Sequence, residues 1–157
     1  MRPEQVVSSS SQQSPSGMTR DEIVAFIERR QQLYDDFDAA GLAADYADDV
    51  VVQSPMAGTH TGRPAAEQAW RATFGAFMDL TMKTDALLID GDQVAHVVSI
   101  EGAHMGEIMG MPATGRPFHL AVVFLYELRD HKIVRERRIY DFTGLLLQIG
   151  VLKAKPV

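Results

Sequence analysis

Glu136 and Arg138 are the two residues of this sequence best placed to do chemistry together. They lie two apart in Lys132–Tyr140, KIVRERRIY, which reads as a strand, and residues at that spacing share a strand face. Alternation gives one face of Ile133, Arg135, Arg137 and Ile139, and another of Val134, Glu136, Arg138 and Tyr140. Both faces carry charge, so burying either one takes charge inside. Unpaired buried charge is costly, so the face that can pair its own Glu136 with Arg138 is expected to be the inner one. In apolar surroundings Arg138 offers a fixed positive charge and a planar donor fork, suited to a carboxylate, an enolate or a carbonyl oxygen. Glu136 is a candidate base, its pKa set by burial against arginine pairing. The competing reading is a solvated edge strand with a structural ion pair.

His104 is a further candidate for proton transfer, since an imidazole gains and loses its proton near neutrality; alternatively it ties down the loop that follows. His60, in a predicted loop before a helix, reads as a loop anchor. Asp141 precedes FTGLLLQIG and reads as a helix N-cap rather than a catalytic acid. Tyr34, Phe37, Trp70, Phe118, Phe124, Tyr126 and Tyr140, with Val122 and Ser54, are the candidate wall of a cavity for a flat apolar ligand. No paired His, Asp or Glu spacing points to a metal. The glycines of 106–115 match neither a phosphate loop nor a dinucleotide fingerprint.

The elements that would position these residues run in a clear order. Met1–Gly17 is rich in Ser, Gln and Pro and reads as a disordered tail. Thr19-Arg-Asp-Glu22 is a capping-box pattern, followed by apolar residues at helical spacing from Ile23 to Phe37, with Gly41 expected to end the helix. Leu42–Ala47 suggests a second short helix and Val50–Ser54 a strand. Met56–Gly62 reads as a loop, and Pro64 opens a helix to about Phe77. Strands are predicted at Leu80–Ile89 and Gln93–Met105, joined by the hairpin signal Asp90-Gly91-Asp92, and at Pro117–Leu128. Both faces of this last strand are apolar, as for a central strand covered on two sides. Helices before strands argue for an α+β fold, a curved antiparallel sheet wrapped on N-terminal helices as a cone with an internal pocket. One domain is expected over 18–152, with a tail at 153–157.

Register decides what faces that pocket. A two-residue turn at Asp130-His131 would set Arg138 opposite Val123. A loop one residue longer would set Arg138 opposite Phe124 and Glu136 opposite Tyr126. The turn lacks the Gly or Asn that favours a type I′ turn, so the longer loop is expected.

The formal net charge is −6 over 157 residues and the pI about 5.3. This argues against a general electrostatic grip on nucleic acid or an anionic membrane. There are no cysteines, hence no disulfide, thiolate site or cysteine nucleophile. No apolar run is long enough for a membrane span and the N-terminus lacks a signal-peptide core; a cytoplasmic protein is expected.

Gly102–Phe118, GAHMGEIMGMPATGRPF, resembles the G-x-H-x-G and G-[IM]-P-[AP]-T-[GD]-[RK] stretches of the SnoaL-type polyketide cyclases and their ester-cyclase-like relatives. Asp141–Gly150, DFTGLLLQIG, is similar to their closing segment, and Tyr46–Val50 and His60–Gly62 match more weakly. The resemblance implies the nuclear transport factor 2-like cone, dimeric through its outer sheet face, and cofactor-independent chemistry. Cyclases of this type close a ring by intramolecular aldol condensation of a hydrophobic aromatic ester. An aspartate on the last strand serves as acid and base, helped by a histidine on the strand before it. Alignment on this resemblance puts Arg138 where the aspartate stands and Phe124 where the histidine stands. The expected activity is therefore acid/base chemistry, cyclisation or isomerisation, on a hydrophobic carbonyl compound, with Arg138 holding negative charge and Glu136 or His104 moving the proton. A non-catalytic binding protein of the same fold is the alternative. Epoxide opening, which a relative of the fold performs with an arginine and two aspartates, ranks lower because Glu136 is the one carboxylate near Arg138.

Overall fold

The structure, a computed structural model, describes residues 17–156; of the expected N-terminal tail, all but Gly17 lies outside the described residues. Helix α1 (Arg20–Asp35) begins with the capping box. Thr19 Oγ1 accepts the Glu22 N–H at 3.2 Å, and the Glu22 carboxylate accepts the Thr19 N–H at 2.7 Å, so two free amide hydrogens of the first turn are satisfied. Its buried face is Ile23, Phe26, Ile27, Arg30 and Tyr34. The helix stops six residues before Gly41. Phe37 takes a left-handed φ of 55°, and Asp38 then caps a new helix, α2 (Ala39–Ala44), by accepting the Gly41 N–H at 2.8 Å. Gly41 is thus inside α2, which starts three residues ahead of the expected Leu42.

Six strands form one sheet: β1 (Tyr46–Ser54), β2 (Gly58–Thr61), β3 (Phe77–Asp90), β4 (Gln93–His104), β5 (Pro117–Arg129) and β6 (Lys132–Ile139), in the order β2-β1-β6-β5-β4-β3. Every neighbouring pair is antiparallel except β1 and β6, which run parallel. The chain folds as an α+β cone whose curved sheet stays open. Short β2 occupies the stretch expected to be loop, which moves His60 onto a strand opposite Val52. Helix α3 (Arg63–Ala76) precedes β3, and α4 (Phe142–Gln148) follows β6.

Burial alternates strictly along β4 and β5. Phe118, Leu120, Val122, Phe124, Tyr126 and Leu128 of β5 face the core, with Val94, His96, Val98 and Ile100 of β4. The expectation that β5 is covered on both sides is not met within the chain: His119, Ala121 and Leu125 are exposed on its other face.

The β5–β6 hairpin reaches the expected register by an unexpected route. Arg129 pairs Lys132, so the turn is the tight two-residue one, with Asp130 at φ 51° and His131 at φ 61°. Both values belong to a type I′ turn, here achieved without glycine. A bulge then intervenes: Leu128 pairs Ile133, but Glu127 pairs Arg135. The extra residue, Val134, shifts everything beyond it by one, as bulges do. Glu136 therefore faces Tyr126 and Arg138 faces Phe124. The bulge also brings Ile133 to the buried face with Glu136, although strict alternation puts them on opposite faces.

Behind Gly102–Phe118 the chain is pinned to the end of α3. The amides of Met105 and Gly106 both donate to the Ala76 carbonyl at 3.0 Å. A Cβ at Gly106 would lie 1.9 Å from the Gly75 oxygen, so a side chain there would force the strand end off the helix.

His96 titrates as part of this core. It is 4% exposed, Nε2 lies 2.8 Å from Thr84 Oγ1, and burial, aided by the Arg30 charge, pushes its pKa down to about 4 from 6.5. The unfolded chain therefore binds a proton at a pH where the folded chain refuses it, and stability falls as pH drops from 6.5 toward 4. The expected loss from His96 is about 3 kcal/mol, seen as a falling urea midpoint across that window. His96→Gln, which cannot titrate, should flatten the slope.

Candidate active site

The polar centre of the molecule is a chain of buried side chains running from α1 to the cavity. Asp45 receives the guanidinium groups of Arg29 and, at 3.0 Å, Arg30. Arg30 also donates to the Leu42 carbonyl at 2.9 Å and reaches the Tyr46 hydroxyl at 3.5 Å. The Tyr46 hydroxyl accepts Trp70 Nε1–H at 3.0 Å and lies 2.5 Å from Glu136 Oε2. Indole and guanidinium groups can only donate, so both acceptor positions of the hydroxyl are taken and its own proton must go to Glu136. Glu136 is therefore an acceptor, ionised, with its second oxygen 2.5 Å from Arg138 Nε. Burial opposes that ionisation, but the charges of Arg138 and Arg30 and hydrogen bonds from Tyr46 and Arg138 outweigh it and hold its pKa below the usual carboxylate value. Tyr46 is pushed up to about 12 by burial and then by the Glu136 charge.

Arg138 closes this chain at the wall of a cavity of about 70 Å³. Its guanidinium carbon stands 4.4 Å from the Trp70 ring centroid and 5.8 Å from that of Phe124, a cation–π seat on two sides. Nε is spent on Glu136, while Nη2 is buried and has no hydrogen-bond partner. The other lining residues are mostly apolar, among them Trp70, Leu80, Phe118, Val122, Phe124 and Leu145, with Met56, Thr73 and Tyr140 half-buried on the solvent side.

A sequence profile of the family described as SnoaL-like polyketide cyclase matches residues 25–149. The chain belongs to this family. Nogalonic acid methyl ester cyclase of Streptomyces nogalater is 35% identical over 96 residues, which cover 59% of this chain and 70% of that protein. Aklanonic acid methyl ester cyclase DnrD of Streptomyces peucetius is 36% identical over 61 residues, 39% of this chain and 42% of that protein. Among solved structures, TsrD from Streptomyces laurentii shares the fold with a TM-score of 0.76 at 23% identity, covering 86% of this chain and 99% of that one. IdmH from Streptomyces antibioticus gives 0.67 at 27% identity, covering 81% and 97%.

Within this SnoaL-like chain the residues singled out by sequence divide into three groups. Tyr34, Trp70, Phe118, Val122, Phe124, Arg138 and Tyr140 line the cavity together. Ser54 stands just behind, its Oγ 3.3 Å from the Tyr140 hydroxyl, and Tyr126 stacks on Phe124 at 5.9 Å. Phe37 lies outside, 43% exposed and packed edge-on against Phe74. His104 is buried away from the lining. Its Nδ1 accepts the Thr114 N–H at 3.3 Å and lies 3.0 Å from Thr114 Oγ1, and its backbone pairs with Arg116 and Gly115. It staples the loop between β4 and β5. His60 has a buried Nε2 without a partner, and burial, then the Arg138 charge, lowers its pKa. Asp141 caps α4, accepting the Gly144 N–H at 2.8 Å.

Sequence reasoning missed the support. Arg30 stands at inward helical spacing between Phe26 and Tyr34, and that spacing was its signal. Asp45 and Tyr46 had no local signal, because their partners are distant in sequence. Among the described residues no group of three or more His, Cys, Asp or Glu could hold a metal.

The depressed Glu136 pKa adds stability that is present above the ordinary carboxylate value of 4.5 and is lost as pH falls below it. Glu136→Gln leaves the buried Arg138 charge without its counter-ion and should cost about 3–5 kcal/mol in urea unfolding at pH 7. The double replacement Glu136→Met with Arg138→Met should cost less than that single change.

Proposed function

We propose that this chain carries out acid/base chemistry, cyclisation or isomerisation, on a hydrophobic carbonyl compound of polyketide type. The observation that carries the reading is the unpartnered Nη2 of Arg138, the one guanidinium in the wall of an otherwise mainly apolar cavity. A buried donor left without an acceptor is costly, and a ligand oxygen relieves that cost. Arg138 holds that oxygen and stabilises the negative charge that builds on it as an enolate forms or a ketone is attacked. Glu136 acts as a positioning residue. Its two oxygens are held by Tyr46 and Arg138 and it does not reach the cavity, so it orients the guanidinium instead of moving a proton.

The buried charges balance, Arg30 and Arg138 against Asp45 and Glu136. A neutral ester enters an apolar cavity at lower desolvation cost than a free carboxylate, which favours the ester, and negative charge then builds on the oxygen that Arg138 holds. The relatives named as methyl ester cyclases fit that preference. Ligand pockets commonly measure about 300–1,000 Å³, so a polycyclic ester must widen this cavity. The half-buried Met56 and Tyr140 mark the side that yields, and methionine adapts at low cost.

Incubation of the purified protein with nogalonic acid methyl ester should give an isomer of unchanged mass by liquid chromatography and mass spectrometry. Arg138→Met should lower kcat by about 10²–10³-fold. A second reading, a binding protein without turnover, is favoured by a lining that includes no carboxylate and no imidazole among the described residues. Tight retention of unaltered ester by the wild type would select that reading.

We further propose that two copies of the chain pair through the outer sheet face. Leu88 pairs Ala95 and Ala95 pairs Leu125, while Val97 pairs Val123 and Val123 pairs Ile139. Leu88, Leu125 and Ile139 are 64%, 36% and 45% exposed, a contiguous apolar patch over four strands of the kind that marks an interface. Sedimentation should show a dimer, and Leu125→Lys a monomer that keeps its circular dichroism spectrum.

A further inference from the structure

The reading above needs a group that moves a proton, and the residues expected to do so are occupied elsewhere. We propose that Tyr140, set by Ser54, is that group. The inference rests on the proposed ligand oxygen at Arg138. Arg138 stands near the end of β6 and Tyr140 directly follows that strand, and both line the cavity. Of the other hydroxyls in the lining, Thr73 donates to the Ala69 carbonyl at 2.9 Å. Tyr34 is buried among Trp70 and Phe74, where burial and the nearby Asp35 raise its pKa. Tyr140 is half-buried at the solvent side, and its hydroxyl meets Ser54 Oγ at 3.3 Å. Ser54 is itself half-buried at the end of β1, directly before Pro55. Tyr140 thus touches the cavity, and both members of the pair are partly exposed.

In ring closure, the enol carbon of the ligand forms the new C–C bond to the ketone carbon. The ketone π pair moves to its oxygen, which takes the Tyr140 proton while Arg138 Nη2 donates to the same oxygen. The Tyr140 oxygen regains a proton from solvent through Ser54, and the enol O–H proton leaves to solvent. Nothing is oxidised or reduced, and product and substrate are isomers. Two donors on one oxygen, one charged and one able to give up its proton, replace a carboxylate that no lining residue supplies.

The probe is 4-nitrophenol, small, flat and coloured only as its anion. Bound to the wild type, its phenolate form should be favoured by hydrogen bonds from Arg138 and Tyr140, lowering its apparent pKa in a spectrophotometric titration. Tyr140→Phe keeps the ring packed against Phe142 and should weaken phenolate binding about tenfold relative to phenol. Ser54→Ala should act in the same direction to a smaller extent. A purely structural role for Tyr140 would change affinity for both forms alike. If Arg138→Met raises the bound probe's pKa while Tyr140→Phe and Ser54→Ala titrate as wild type, the inference about Tyr140 is overturned and the Arg138 site stands. If the wild type neither binds the probe nor shifts it, both readings fall.

Discussion

The structure depends on one buried ion pair. Arg138 and Glu136 sit two residues apart on β6, and the pair is tolerable inside an apolar cone because both oxygens of Glu136 and the Nε of Arg138 are engaged. Glu136 spends its second oxygen on Tyr46, Tyr46 is held by Trp70 and Arg30, and Arg30 is neutralised by Asp45. Removing any member strands a charge or a dipole where water does not reach. The network is thus cooperative: α1, the α2–β1 junction, α3 and β6 each contribute one or more members, and their relative placement is set by polar geometry as much as by packing. Two of its atoms, Arg30 Nε and Arg138 Nη2, escape this saturation, and Arg138 lines the cavity.

That arrangement separates two tasks that a carboxylate in a pocket would combine. Glu136 holds the Arg138 guanidinium and is not part of the cavity lining. The consequence is a cavity wall with directional donors but little net charge, suited to oxygen atoms that become negative during a reaction and less to those that arrive so. The aromatic surfaces of Trp70 and Phe124 complete it, spreading the cation over two rings and leaving its edge free.

Much of the frame was legible because its signals are local. The Thr19–Glu22 box, Pro64 near the start of α3, the Asp90-Gly91-Asp92 hairpin and the Asp141 cap each act within a few residues and behave as their chemistry dictates. What was illegible depends on partners far along the chain. Strand β2, GTHT, has no apolar pattern and exists because β1 offers it an edge. The parallel pairing of β1 with β6 joins segments about 85 residues apart with no sequence mark of its own. Arg30 stands at inward spacing between Phe26 and Tyr34, but its partner Asp45 lies beyond the helix and has no local mark. Phe118, Val122 and Phe124 share the cavity lining because alternating positions of β5 face the core. His104 holds the loop after β4, the alternative stated for it, and Phe37 lies outside the cavity, because neither a motif position nor an aromatic ring states which way a side chain points.

The bulge at Val134 has a consequence for how the site tolerates change. Beyond it, β6 is held by β1 as well as β5, through Val51 with Arg135, Val52 with Glu136 and Gln53 with Arg137. The turn at Asp130-His131 lies on the far side of the bulge and is strained at both positions. The bulge therefore works as a slip joint. Substitutions that remodel the turn are absorbed before they reach Glu136, whereas drawing Val134 into the ladder opposite Glu127 would turn the strand inside out, presenting Arg135 and Arg137 to the core and discarding the polar stripe to solvent.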